Sequence, residues 1–156
     1  MQGERQGDFG GPVIERDPQN PGWLTWHYGD GDRGRFNQEV MGPLRLRREE
    51  DGKVRLRLVP EHRHTNPFGA LHGGLIMSLI DISLFTAWRL TTESEARGAV
   101  TLELSNQFVG PGDPGQPVDA LTEIVRETGR LVFLRGQVVQ GETLVSSFSG
   151  IIRKAG

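Results

Sequence analysis

Cysteine is absent from the 156 residues, which removes disulfides, thiolate nucleophiles and Cys-based metal sites together and suits a reducing compartment. An excess of charge is missing too. With 18 Lys and Arg against 20 Asp and Glu the net charge is -2, so the chain has no electrostatic footprint for nucleic acid. No basic-then-apolar leader opens the chain, and the longest apolar run, residues 75–88, contains Ser78, Asp81 and Ser83 and falls short of the roughly 20 residues of a membrane span. The expectation is a cytoplasmic protein with neither nucleic acid nor membrane as partner. Phosphate-cradling GxxxxGK, nucleophile-elbow GxSxG and dinucleotide-binding GxGxxG patterns are all lacking, and the chemistries they serve go unsupported. His62 and His64 form a His-x-His pair that a strand would place on one side, yet the segment is polar and proline-flanked; no metal is expected.

What is present is enough apolar content for one core. At 35% hydrophobic residues, a chain of this length makes one domain that buries roughly 70% of the surface of its unfolded form. Residues 1–35 are rich in Gly, Pro, Asp and Arg without helical or strand period, and read as an irregular N-terminal arm. Trp23, Trp26 and Tyr28 would pin that arm onto the domain or onto a second subunit. Residues 36–156 are the domain itself. A short helix at 36–41 ends at Gly42. Segments 44–48 and 54–59 alternate apolar with basic residues around Asp51-Gly52, a strong hairpin signal.

Residues 100–109 form a further strand, with Val100, Leu102 and Leu104 on one face and Thr101, Glu103 and Ser105 on the other. Three more strands follow at 118–126, 131–139 and 144–152, joined by short turns and therefore antiparallel. The fold class is α+β: one long buried helix wrapped by a curved antiparallel sheet of about six strands.

That helix follows the stretch NPFGALHGGLIMSLID, residues 66–81. Between Gly73 and Ala87 Asp81 is the single charged residue, with apolar residues on every face, which predicts a buried helix. A buried carboxylate costs several kcal/mol unless paired or neutralised, so Asp81 needs a reason. Gly73 and Gly74 supply first-turn amides, natural donors to an oxyanion, and room for a ligand carbonyl to approach. Packing and loop-capping account for the same residues, and spacing leaves both readings open. His72 and Asp81 are nine residues apart, on opposite faces of one helix and roughly 13 Å apart along it. The Gly73 amide is roughly 12 Å from Asp81. If amide and carboxylate serve one reaction, two helices must supply them, most simply in a two-fold dimer.

Asn66-Pro67-Phe68-Gly69, Leu71-His72-Gly73-Gly74 and Asp81, followed by VTLELSNQFVGPGDPG and ETGRLVFLRGQVVQGETLVSSFSG, resemble the hotdog-fold acyl-CoA thioesterases of the phenylacetate-degradation type, in the 4-hydroxybenzoyl-CoA thioesterase superfamily. The resemblance covers about residues 36–152. It implies a hotdog fold, homodimers often assembled into tetramers, active sites at the subunit interface, and an acyl-CoA substrate without further cofactor. Asp81 would be general base or nucleophile, the Gly73 amide would polarise the thioester carbonyl, Asn66 and His72 would position that end, and Thr101 would help hold the attacking water. Gly74 belongs to the same end; Phe68, Met77 and Phe85 would line the acyl pocket, and Gly129 and Arg130 would lie near the coenzyme A nucleotide. A non-catalytic acyl-CoA-binding or sensing domain is the alternative, since a fold does not dictate its use. A hotdog hydratase would need a His and an Asp from different segments, a pattern not found here.

Overall fold

A computed structural model of the chain describes residues 13–27, 33–92, 94 and 96–156. Among these residues eight strands form one antiparallel sheet: β1 (Val13–Arg16), β2 (Leu24–His27), β3 (Leu44–Arg48), β4 (Val54–Leu58), β5 (Val100–Phe108), β6 (Val118–Glu127), β7 (Leu131–Gln140) and β8 (Thr143–Arg153). Their order is β1-β2-β3-β4-β6-β7-β8-β5. The helix α1 (Gly73–Thr92) packs on its inner face.

Alternation decides the inner face. Leu44 and Leu46 of β3, Val54, Leu56 and Leu58 of β4, and Val118 and Ala120 of β6 point inward and are buried, as a half-covered sheet requires. They meet Leu75, Ile76, Leu79, Ile80 and Leu84 of α1 in one core cluster. The helix is long and apolar enough to cross a bilayer by length and composition, but most of it is buried against the sheet. Gly150 has no room for a side chain: a Cβ there would stand 2.5 Å from a Leu84 methyl.

Asp51-Gly52 turns β3 into β4 as expected, with Gly52 at φ +84°. The expected short helix is a π-helical turn, Asn37–Met41, closed by Gly42 at φ +73°. Buried His64 ties that turn to the next loop, its Nδ1 accepting the Glu61 N–H at 2.8 Å and its Nε2 lying 2.7 Å from the Val40 carbonyl.

Two features differ from the expectation. The sheet has eight strands rather than about six, because the stretch read as an irregular arm supplies β1 and β2, which add onto β3. Its strands are four residues each, too short to show a period. Cross-strand contacts hold it instead: Trp26 is buried, Trp23 stacks on the guanidinium groups of Arg47 and Arg57 at 4.5 and 4.7 Å, and Asp17 accepts from Arg45 at 2.6 Å. Tyr28 lies outside the described residues. The second difference is a bulge in β5. Thr101 pairs with Ile152 and Glu103 with Ile151, leaving Leu102 as the extra residue. Such a bulge reverses the side-chain alternation beyond it. Val100 and Leu102 are therefore exposed, whereas Thr101 turns inward with Leu104.

Candidate active site

The loop before α1 is built around Asn66. Its Oδ1 accepts the N–H groups of Phe68 and Ala70 at 2.9 and 3.1 Å, its own N–H donates to the Ala70 carbonyl, and Gly69 closes the turn at φ +81°. This is the Asx-turn chemistry that makes Asn a loop former. With the oxygen fully engaged, Asn66 Nδ2 is left as a donor with no partner among the described residues.

His72 caps the helix. Its Nδ1 accepts the Gly74 N–H at 2.8 Å, which places the ring proton on Nε2, and its carbonyl accepts from Leu75 and Ile76. Gly74 is what lets the ring fold back, since a Cβ there would stand 2.9 Å from Nδ1. The two glycines thus differ in role. The Gly74 N–H is used by the cap, while the Gly73 N–H donates to nothing among the described residues. An unclaimed first-turn N–H at the positive end of a helix is an anion-stabilising donor. The Phe108 ring packs beside Gly73, 3.4 Å from where its Cβ would be.

Asp81 sits two turns further on. It is half-buried rather than fully enclosed. The helix is covered on most faces, but one stripe, Gly73, Gly74, Met77, Ser78, Asp81 and Phe85, stays partly open. These residues recur at the i, i+4 spacing of a single helix face. Composition alone predicted burial all round; the sheet leaves this face uncovered in a single copy. Thr101 Oγ donates to Asp81 Oδ1 at 2.6 Å, a short charge-assisted bond. The β5 bulge makes that contact, turning inward a residue that strict alternation places on the outer face. Asp81 Oδ2 has no partner among the described residues.

Of the other residues picked out from the sequence, Met77 and Phe85 lie on the open stripe beside Asp81. Phe68 is 94% exposed at the tip of the Asn66 loop. Gly129 and Arg130 are exposed in the β6–β7 turn, which Thr128 Oγ holds by accepting the Leu131 N–H at 2.9 Å. That turn is tied toward the far end of α1: Glu127 accepts the Trp88 indole N–H and pairs with Lys154, whose N–H donates to the Arg130 carbonyl. Phe108, Asn106 and Ser146 were not among the sequence candidates, although Asn106 continues the row of Val100, Leu102 and Leu104, and a polar residue in an apolar row was the signal.

Within one chain, then, the site falls into two halves. The Gly73 N–H, His72 and Asn66 stand at the start of α1, and Asp81 with Thr101 roughly 12 Å further along it. One half presents an N–H donor at the helix start; the other presents a carboxylate with one oxygen held by Thr101.

The chain matches the Thioesterase superfamily over residues 68–147. It is 30% identical over 101 residues to human acyl-coenzyme A thioesterase 13, covering 65% of this chain and 71% of that protein. Among solved structures it resembles a variant of the phenylacetic acid degradation protein PaaI of Thermus thermophilus, with a TM-score of 0.64 and 22% identity over 77% of this chain and 98% of that one. PaaI of E. coli gives a TM-score of 0.63 and 19% identity over 79% and 86% of the two chains. A long helix laid against an antiparallel sheet is the architecture these structures share with it. The chain belongs to the thioesterase superfamily: it is a thioester hydrolase with the hotdog fold.

Proposed function

We propose that the protein hydrolyses an acyl-CoA thioester to the free acid and coenzyme A, in sites that two copies of the chain build together. The observation that carries this reading is the Thr101–Asp81 hydrogen bond, two helical turns from an unclaimed Gly73 N–H. The similarity to an acyl-coenzyme A thioesterase supports the substrate class. The Gly73 N–H and Asn66 Nδ2 donate to the thioester carbonyl oxygen, and His72 holds the helix start rigid. Across the interface the free Oδ2 of Asp81 takes a proton from water while the water oxygen bonds to the carbonyl carbon. Charge then gathers on the carbonyl oxygen, where a fixed amide donor is worth about 3–4 kcal/mol. Collapse of that intermediate breaks the C–S bond and releases the thiolate, which takes up a proton. Thr101 keeps Asp81 Oδ1 occupied, directing Oδ2 to the water. Direct attack by Asp81, giving an anhydride that water then cleaves, uses the same groups.

Two features support a shared site. β5 is the last strand of the sheet, and its edge carries exposed Leu102 and Phe108, 55% and 56% accessible. Thr101 links that strand to Asp81, so the open helix stripe and the open sheet edge lie on the same side. Edge pairing between two β5 strands covers both, and two such dimers form the tetramer. Phe68, Met77 and Phe85 line the acyl pocket, and Gly129 and Arg130 meet the coenzyme A nucleotide. The reaction takes place in the cytoplasm and requires no cofactor.

Thiol release from a panel of acyl-CoA thioesters tests the chemistry. Loss of a general base lowers the rate about 10²- to 10⁴-fold, so Asp81→Ala loses activity to that degree while remaining folded. Full activity in Asp81→Ala removes Asp81 from its role. Tight binding of acyl-CoA by the unmodified protein with no thiol released identifies instead a non-catalytic binding domain.

A further inference from the structure

On the helix side of the sheet, two buried polar groups have no hydrogen-bond partner among the described residues. Both amide atoms of Asn106, on β5, and the Ser146 hydroxyl, on β8, are shielded from solvent and unpaired among the described residues. Buried polar groups are rarely left so, and each such case calls for an explanation. These two are also neighbours. Asn106 stands opposite Phe148 and Ser146 opposite Phe108, which makes Asn106 and Ser146 a diagonal cross-strand pair about 7–8 Å apart.

Their direction follows from the strand. Beyond the bulge, Leu104, Asn106 and Phe108 share one face, and Phe108 packs beside Gly73 at the helix start. Thr101, on the near side of the bulge, reaches Asp81. Asn106 is therefore placed along β5 between its contact to Asp81 and its contact to Gly73, on the face that looks at α1. The helix does not satisfy it: Ser78 donates to the Gly74 carbonyl, Ser83 to the Ile80 carbonyl, and Asp81 Oδ1 is taken by Thr101. An apolar residue at either position would fit an apolar acyl pocket without leaving a polar group unmatched.

Resting on the thioesterase reading above, we infer that Asn106, backed by Ser146, is the specificity determinant of the acyl pocket and selects an acyl group that carries a hydroxyl or carbonyl beyond the thioester. The amide offers two donors and an acceptor, the hydroxyl one of each, so both substituents find a match. A plain hydrocarbon chain leaves the pair unsatisfied, and a site built to hydrogen-bond a substrate group discriminates strongly against the analogue that lacks it.

The test compares kcat/KM for octanoyl-CoA with that for hydroxyoctanoyl-CoA isomers bearing the hydroxyl at successive carbons. The native protein prefers one isomer over octanoyl-CoA by about 10- to 100-fold. In Asn106→Leu that ratio collapses toward one, and in Ser146→Ala it falls in the same direction. Ser146→Ala removes a single oxygen, so it keeps the comparison readable if Asn106→Leu folds poorly. A native ratio near one for every isomer overturns the inference, as does a ratio that survives both substitutions; the amide is then satisfied by the neighbouring copy or by water. Thiol release from none of the thioesters is a different failure, that of the hydrolase reading itself.

Discussion

At the start of α1, two adjacent glycines do different work. Gly74 is required by its neighbour, because its Cβ would collide with the His72 ring that caps the helix; Gly73 faces only the Phe108 ring at ordinary contact distance. Loss of an N-cap costs about 1 kcal/mol. Gly74→Ala is therefore expected to lower thermal stability by about that amount and to disturb the Gly73 N–H, whereas Gly73→Ala leaves stability nearly unchanged; thermal denaturation of the pair checks this. Thr101→Val removes the donor to Asp81 while keeping shape. Hydrogen bonds to charged groups are worth about 1.5–3 kcal/mol, so kcat falls by roughly 10- to 100-fold. A kinetic comparison with Asp81→Ala shows whether the hydroxyl acts through Asp81: the double variant is then no worse than Asp81→Ala alone. The unclaimed first-turn N–H of Gly73 could be anticipated from helix-start chemistry. The Thr101 contact could not, because it depends on a bulge whose position is set by pairing with β8.

Among the elements, the N-terminal hairpin is the clearest case of structure made by contact. β3 and β4 set Arg45 opposite Arg57 and Arg47 opposite Arg55, a juxtaposition of like charges that destabilises a sheet on its own. Asp17, Glu49 and Asp119 offset it: Asp17 takes Arg45, Glu49 takes Arg47 and Arg55, and Asp119 takes Arg55 and Arg57. Only Asp17 comes from the hairpin, and its hydrogen bond from Arg45 outweighs partial desolvation to hold its carboxyl below the ordinary 3.8. Glu49 is raised by burial but lowered more by Arg55 and Arg47, and also ends below its ordinary 4.5. Carboxyls depressed in this way contribute fully above their ordinary values and lose that contribution as pH falls through the lowered ones. Hydrogen exchange at the β1 and β2 amides should therefore accelerate below about pH 4. Arg45→Ala should bring the same loosening at higher pH. No change in its acid profile would show that Trp23 and Trp26 hold the hairpin without Asp17.

For the whole molecule, the decisive prediction concerns assembly. Because Leu102 points away from the site and sits on the open edge of β5, Leu102→Asp should block edge pairing without touching the catalytic groups. Sizing should then find monomers, and thiol release should fall with the loss of dimer. An active monomer would contradict a site shared between copies. Complementation gives a second measurement. In a mixture of Asn66→Ala and Asp81→Ala chains, half the dimers are mixed and each holds one intact site, so activity returns to about a quarter of the native level. With both halves drawn from one chain, none returns.

Most of the architecture was readable in the chain: the apolar helix with its lone carboxylate, the Asp51-Gly52 hairpin and the C-terminal strands each carry a local signal, because periodicity and turn chemistry are properties of neighbouring residues. So was the separation of Gly73 from Asp81, which helical rise alone dictates. Long-range pairing decided the rest. Register with β8 turned Thr101 toward Asp81 and Leu102 outward. Docking on β3 made strands of a stretch too short to declare itself, and the finite width of one sheet left a stripe of α1 open. Each of these depends on residues far apart in sequence, whose meeting no local pattern encodes.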